Sequence, residues 1–285
     1  MPSLIDKVVS RVFLEKSLNE FYCRHESCDA WEKNVVQQPG AVRAIVDSGA
    51  DRVAAGPGVG EELTDERLAR MIDHTLLKPE ATPEEIVRLC EEAARYRFAS
   101  VCVNPCHARL CADKLEGTGV AVCVVVGFPL GANCADVKRV EAERALRDGA
   151  TEIDMVINVG RLKSDDYEYV FDEIRAVATE CKRAEAILKV IIETSLLSDE
   201  EKVKACVVAK EAGAHFVKTS TGFAKGGATA ADVALMKYVV GSTVGVKASG
   251  GVKTRADAEK MIASGAERIG ASAGVRILLD ERDIR

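Results

Sequence analysis

The sequence predicts an α/β chain folded as a (β/α)8 barrel with an N-terminal helical extension. Three observations carry that expectation. From about Glu66 onward, eight short runs rich in β-branched residues recur at intervals of roughly 20 to 40 residues, the pattern of repeated strand–helix units in a parallel sheet. Several runs are apolar on both faces (VCVVV, VIIET), as strands covered by helices should be. The segments between them carry helix start and stop signals. An open doubly wound sheet is the alternative, but no G-x-G-x-x-G follows a strand, which weakens its dinucleotide-binding version.

The strands are expected at Met71–Leu76, Ala99–Val103, Ala121–Val126, Glu152–Asn158, Leu188–Glu193, His215–Thr219, Val244–Ala248 and Glu267–Gly270. Thr82-Pro83-Glu84-Glu85 reads as a capping box with proline at the first helical position. Ser198-Asp199-Glu200-Glu201 opens another helix, which Gly213 closes; Thr254 to Asp257 starts a third, which Gly265 ends. The division expected is an extension over 1–65 and a barrel over 66–285. In the extension Ile5–Phe21 reads as an amphipathic helix, followed by the polar stretch CRHESCDAWEKN with the only tryptophan. Next, Ile45–Val59 echoes Met261–Val275. Either helix-to-strand turns of such folds converge on S-G-A-[DE]-R, or the last barrel unit is partly duplicated. A closed barrel has no free edge for a ninth strand, so a duplicated unit would pack outside it, at a subunit contact.

Composition excludes several classes. The 285 residues are 47% hydrophobic and 29% charged, enough for a sizeable core and incompatible with a mainly disordered chain. No stretch approaches the roughly 18 uninterrupted apolar residues of a membrane helix. The opening MPSLIDKVVSRVF mixes charges into its apolar residues and makes a poor secretory signal. A net charge of -6 argues against a broad basic face for nucleic acid, and 5% aromatics against stacking platforms. Without an export signal the ten cysteines are expected reduced, in the cytoplasm. Those in apolar runs (Cys102, Cys123, Cys206) read first as small buried hydrophobes. Cys23, His25 and Cys28 offer three ligand types in C-x-H-x-x-C, but zinc usually wants four donors, so a polar loop is the expectation and metal binding the alternative. His74, His107 and His215 read as structural or solvent-facing.

Alternation along the strands then says which side chains face the barrel interior. With Ile153, Met155 and Ile157 turned to the helices, Asp154, Val156 and Asn158 point inward. The same parity turns Lys189, Ile191 and Glu193 inward, then Phe216, Lys218 and Ser220, then Gly245, Lys247 and Ser249. An interior with three lysines and two carboxylates must be paired, hydrated or chemically used. A Lys189–Glu193 pair would be purely structural. Lys218 and Lys247 lie on adjacent strands, about 4.8 Å apart. Two neighbouring ammonium groups repel, and an amine that loses its proton can form a Schiff base with a carbonyl. Asp154, two strands away, would move protons through a water. Alternatively both lysines only neutralise a phosphate. Glycine-bearing loops after the last three strands (Ser220-Thr221-Gly222, Ser249-Gly250-Gly251, Gly270-Ala271-Ser272) point to phosphate independently, because the final loops of such barrels often hold one.

Taken together, HFVKTSTGF, VGVKASGG, EIDMVINVG, LKVIIETSLL, IDHTLLKP and ERIGASAG resemble the deoxyribose-phosphate aldolases, a class I aldolase family with a (β/α)8 fold. The likeness runs from about Arg70 to Leu278 and leaves the first 65 residues largely uncovered. It implies reversible cleavage of 2-deoxy-D-ribose 5-phosphate to acetaldehyde and D-glyceraldehyde 3-phosphate. It implies Lys218 as the Schiff-base lysine, Lys247 as the lysine that lowers its pKa and Asp154 as the proton relay. Asp73 and Thr75 fall on substrate-hydroxyl contacts, Cys102 on the pocket cysteine, and Gly222, Gly250, Gly251, Gly270 and Ser272 on phosphate-loop positions, beside Thr221. No metal or organic cofactor is implied, since the imine is the electron sink. The resemblance suggests a homodimer or tetramer, with no nucleic-acid or membrane partner. Two departures bear on phosphate: Ala273 stands where some members have a second serine, and Phe223 where some have a lysine. The rival functions are another phosphosugar enzyme (transaldolase-like or an isomerase) and a non-catalytic sugar-phosphate-binding barrel.

Overall fold

The computed structural model describes residues 63–280. The expected helix over Ile5–Phe21, the Cys23/His25/Cys28 group and the Ile45–Val59 echo lie outside the described residues. Eight parallel strands close into one barrel in sequence order: β1 (Ile72–Leu76), β2 (Ser100–Val103), β3 (Ala121–Val126), β4 (Glu152–Val156), β5 (Ile187–Ile191), β6 (Phe216–Lys218), β7 (Gly245–Ser249) and β8 (Arg268–Ala271). The closing pair is β1 with β8, where Asp73 faces Gly270. That closure removes the open doubly wound alternative. The strands fall where the β-branched runs place them, with ends that differ by one or two residues: β5 begins one residue earlier than expected, and β7 and β8 end one residue later.

Helices alternate with the strands: α1 (Asp65–Ala69), α2 (Pro83–Tyr96), α3 (Ala108–Leu115), α4 (Ala135–Arg147), α5 (Val159–Lys163), α6 (Tyr167–Arg183), α7 (Asp199–Glu211), α8 (Ala230–Val240), α9 (Arg255–Ala263) and α10 (Gly274–Leu279). Thr82 and Glu85 make the expected reciprocal cap on α2, with Pro83 in the first turn. Ser198 with Glu201 does the same for α7, and Thr254 with Asp257 for α9. Each box satisfies two amide donors that a helix start leaves open.

Two apolar zones follow from strand alternation. Outward-facing Ile153, Met155, Ile157, Val190, Ile192, Val217, Val246 and Ala248 join the helices in one continuous core. Inside the barrel a small separate cluster, Leu77, Cys102, Cys123 and Val125, packs with Phe128. The rest of the described interior is rich in charge: Asp73, Asp154, Lys189 and Lys247 are fully buried, and Glu152 and Lys218 are 3% exposed.

Candidate active site

Asp154, at the middle of β4, receives the interior charges. Its Oδ2 accepts from Lys218 Nζ at 2.7 Å and from Lys247 Nζ at 2.7 Å. Its Oδ1 accepts from Lys189 Nζ at 2.9 Å and from the Cys123 thiol at 3.1 Å. The register explains the convergence: Lys218 pairs laterally with Lys247 on β7, and Asp154 with Lys189 on β5. Barrel closure and the length of the lysine stems carry both ammonium groups across the lumen to one oxygen.

Beneath this contact the remaining charges are matched. Lys247 also pairs with Asp73 Oδ2 at 2.5 Å. Lys189 reaches Glu152 at 2.5 Å and Asp73 at 3.6 Å. Arg268, at the start of β8, reaches Asp73 Oδ1 at 2.6 Å and Glu152 at 3.1 Å. Ser100 donates to Asp73 Oδ1 at 2.7 Å. Burial alone would raise both aspartates, but the surrounding cations hold Asp73 and Asp154 well below the usual carboxylate range. Burial alone would lower Lys247, yet Asp154 and Asp73 raise it above its ordinary value, so it stays an ammonium. Burial and the neighbouring Cys102 push the Cys123 thiol up, so it remains a neutral donor. Four cationic side chains therefore face three carboxylates (Asp73, Glu152, Asp154), and neutralising one lysine balances the cluster. Of the three interior lysines Lys218 has the fewest carboxylate partners: one oxygen, shared with Lys247.

Several expectations change in detail. The Lys189–Glu193 pair does not form: Lys189 turns to β4 and β1, and Glu193 to the next loop, where it accepts from Thr221 N at 3.0 Å and Thr221 Oγ1 at 2.6 Å. Asp154 needs no water to reach Lys218, because the two touch directly. The repulsion expected between Lys218 and Lys247 is bridged by the same carboxylate oxygen. Cys123 is no mere filler, since its sulfur lies 3.2 Å from Lys189 Nζ. Donor atoms of Cys102, Cys123 and Asp154 lie within 4.8 Å of one another, a spacing that a metal ion could bridge. Ammonium groups already occupy both oxygens of Asp154, and this local positive charge opposes a cation there.

The other expected site residues line the same lumen or its mouth. Cys102 Sγ lies 3.9 Å from Asp154 Oδ2. Asp73 is engaged by Lys247, Arg268 and Ser100, while Thr75, two residues higher on β1, bonds back to the Asp73 carbonyl at 2.8 Å. Thr221 is buried under its loop, and Gly222, Gly250 and Gly251 follow with φ of 85°, 86° and 82°. Gly270 lies within β8, where a Cβ would stand 3.0 Å from Lys247 Cε; its bareness leaves room for that lysine. Ser272 is exposed just beyond β8. Ser249 Oγ donates to the Ser220 carbonyl at 2.6 Å, and Ser220 Oγ is buried without a partner among the described residues.

Sequence reasoning missed Glu152, Arg268 and the Gly226-Gly227 segment. Glu152 and Arg268 had a signal, since each lies two residues from an inward position (Asp154, Gly270). Gly227 packs on Gly250 so closely that a Cβ would meet its carbonyl oxygen at 2.3 Å, a contact between loops that no local pattern announces. Two of the histidines have structural roles as expected: His74 pairs with Glu92 at 2.6 Å, and His215 Nδ1 accepts from the Leu188 amide.

A closed parallel barrel with an amine cluster on a buried carboxylate defines the class of lysine-bearing (β/α)8 aldolases. The chain belongs to the DeoC/LacD aldolase family, whose model matches residues 67–281. It is 60% identical over 212 residues to the deoxyribose-phosphate aldolase of Caldanaerobacter subterraneus subsp. tengcongensis, covering 74% of this chain and 92% of that protein. It is 58% identical over 215 residues to the enzyme of the same name from Listeria welshimeri, covering 75% of this chain and 96% of the relative. Among solved structures, the tetrameric deoxyribose phosphate aldolase from Aeropyrum pernix superposes with a TM-score of 0.73 at 34% identity, covering 85% of this chain and 99% of that one.

Proposed function

We propose that this chain is a class I aldolase that reversibly cleaves 2-deoxy-D-ribose 5-phosphate to D-glyceraldehyde 3-phosphate and acetaldehyde. The observation that carries the reading is the pair of amines, Lys218 and Lys247, on one carboxylate oxygen of Asp154. The Lys218 amine adds to the C1 aldehyde of the open-chain sugar, and loss of water gives an imine. Asp154, in contact with Lys218 Nζ, accepts and returns protons as the carbinolamine forms and collapses. A base then removes the C3 hydroxyl proton, the C2–C3 bond breaks, and its electrons enter the imine to give an enamine. The C3–C5 fragment leaves as D-glyceraldehyde 3-phosphate. Protonation of the enamine at C2 and hydrolysis release acetaldehyde and free Lys218. Lys247, held as an ammonium by Asp154 and Asp73, keeps a fixed positive charge beside the nitrogen that changes state. Thr75 and Cys102 line the sugar's path, and the glycine-bearing loops at Thr221-Gly222, Gly250-Gly251 and Ser272 receive the phosphate.

The test is reductive trapping. Acetaldehyde with borohydride should place one ethyl group on Lys218, mapped by peptide mass spectrometry, and 2-deoxyribose 5-phosphate should compete with it. An unmodified Lys218 under conditions that label surface lysines would contradict the aldolase and favour a binding protein. We also read the chain as a cytoplasmic homo-oligomer. The tetrameric assembly of the Aeropyrum pernix enzyme supports the oligomer. Free thiols at all eight cysteines among the described residues support a reducing compartment. No helix among the described residues is long and apolar enough to cross a membrane.

A further inference from the structure

Glu193 has a conformation and a set of partners that the chemistry above does not use. It follows β5 with φ 55° and ψ 68°, a left-handed backbone that a non-glycine residue adopts at a cost. The carboxylate is buried at 3% exposure yet takes no lysine among the described residues. Instead Oε2 accepts both the amide and the hydroxyl of Thr221, at 3.0 and 2.6 Å, and Oε1 accepts from Ser195 Oγ at 3.4 Å. Thr221 Oγ1 in turn accepts the Phe223 amide at 3.1 Å. The next residue, Thr194, gives its amide to the Thr219 carbonyl at 2.8 Å. The loop that follows Lys218 is thus tied to the β5 loop at Thr219, Thr221 and, through the Thr221 hydroxyl, Phe223.

Those ties consume the amide and hydroxyl donors of Thr221 and the amide of Phe223. Ser220 Oγ is buried with no partner among the described residues. A Cβ on Gly250 would lie 3.1 Å from Gly227 Cα, 3.3 Å from Ser220 Cβ and 3.7 Å from Gly222 Cα, so the loop after β6 packs closely on the loop after β7. A free carboxylate beside an anion site would repel the anion. Here its charge is bound by the loop's own donors, the Thr221 amide and hydroxyl.

We propose that Glu193 is a positioning residue for substrate specificity: by holding Thr221 it fixes the 219–223 loop in the shape that receives the phosphate, and so gives preference for the phosphorylated sugar. This deepens the function proposed above and rests on it.

The experiment measures kcat and KM separately for 2-deoxyribose 5-phosphate and for unphosphorylated 2-deoxyribose, on the full chain. The variants are Glu193→Gly, which accepts the left-handed backbone and removes the carboxylate with its stem, Glu193→Gln, and Thr221→Val. In Glu193→Gly the ratio of kcat/KM for the phosphorylated over the unphosphorylated sugar should fall about tenfold or more, mainly through KM for the phosphorylated one. Glu193→Gln keeps one oxygen able to accept both donors and should recover part of the ratio. Thr221→Val should lower it in the same direction. If Glu193→Gly does not fold, the other two variants decide on the same ratio. A parallel loss on both sugars, or no loss, marks a merely structural role and overturns the inference while leaving the aldolase intact. A parent chain that cleaves neither sugar and forms no Lys218 adduct overturns the aldolase reading and this inference together.

Discussion

Asp154 is the residue through which the interior lysines act on one another. Its Oδ2 holds Lys218 and Lys247, and its Oδ1 holds Lys189. Asp154→Asn keeps the shape and removes both the charge and the proton acceptor, so it should lower kcat by about 10²- to 10⁴-fold, the usual share of a positioned acid–base group. Steady-state cleavage assays check it, and a loss below tenfold would remove Asp154 from the proton path. Lys218→Leu behaves differently. Asp154 and Asp73 retain Lys189 and Lys247 as partners, so no carboxylate is stranded. Turnover and the borohydride adduct should vanish while thermal unfolding stays within a few degrees of the parent; surviving turnover would exclude Lys218 as the nucleophile. At this scale much of the site was legible. Strand parity alone turned Asp154, Lys189, Lys218 and Lys247 into one lumen. It could not tell which carboxylate each lysine would choose, because that depends on barrel stagger and stem length, and Lys189 went to Glu152 rather than to Glu193 two residues away.

The elements around β4 show how the helix layer holds the chemistry in place. Lys138 of α4 and Glu173 of α6 form an ion pair at 2.6 Å with both side chains fully buried. Lys138 Nζ also donates to the Val156 carbonyl at 2.9 Å, and Glu173 accepts the Asn158 amide at 2.6 Å. The pair therefore caps the end of β4 just above Asp154. Burial pushes Lys138 down and Glu173 up against the pull of their contact, so neither charge rests easily without the other. Lys138→Met leaves Glu173 stranded and should cost about 3–5 kcal/mol in urea unfolding. The double variant Lys138→Met with Glu173→Leu should recover part of that, because apolar replacement of a whole buried pair is often close to neutral. A double variant no more stable than the single one would show that the backbone bonds at Val156 and Asn158, rather than the charges, carry the stability. The element pattern itself was readable from local signals. Thr82, Ser198 and Thr254 announced helix starts through caps that need only neighbouring residues. The clasp between Lys138 and Glu173 joins residues far apart in sequence, and neither amphipathic period nor capping marks a buried lysine in a helix.

At the scale of the whole barrel, the same charges close the ring. Asp73 sits on β1, Glu152 and Asp154 on β4, Lys189 on β5, Lys218 on β6, Lys247 on β7 and Arg268 on β8, so one ionic network joins six of the eight strands. Its pH dependence has a definite sign. Asp73 and Asp154 are held below the ordinary carboxylate range in the folded chain, by cations that outweigh burial. Groups of this kind stabilise the fold fully above their unfolded pKa, about 3.9 for aspartate, and lose that contribution as pH falls toward their folded values. Urea midpoints should therefore stay nearly level, as far as these two groups decide them, from pH 8 to about 5 and fall below about pH 4. Asp73→Asn removes the carboxylate that faces Lys247, Lys189 and Arg268. It should be less stable than the parent at pH 7, where those cations lose a partner, and its acid limb should be shallower, because one depressed carboxyl no longer takes up a proton on unfolding. The two effects make the parent and variant curves converge as pH falls. Curves that stayed parallel down to pH 3 would mean that the β1–β8 closure draws its stability from the apolar core outside the strands and not from the ions within.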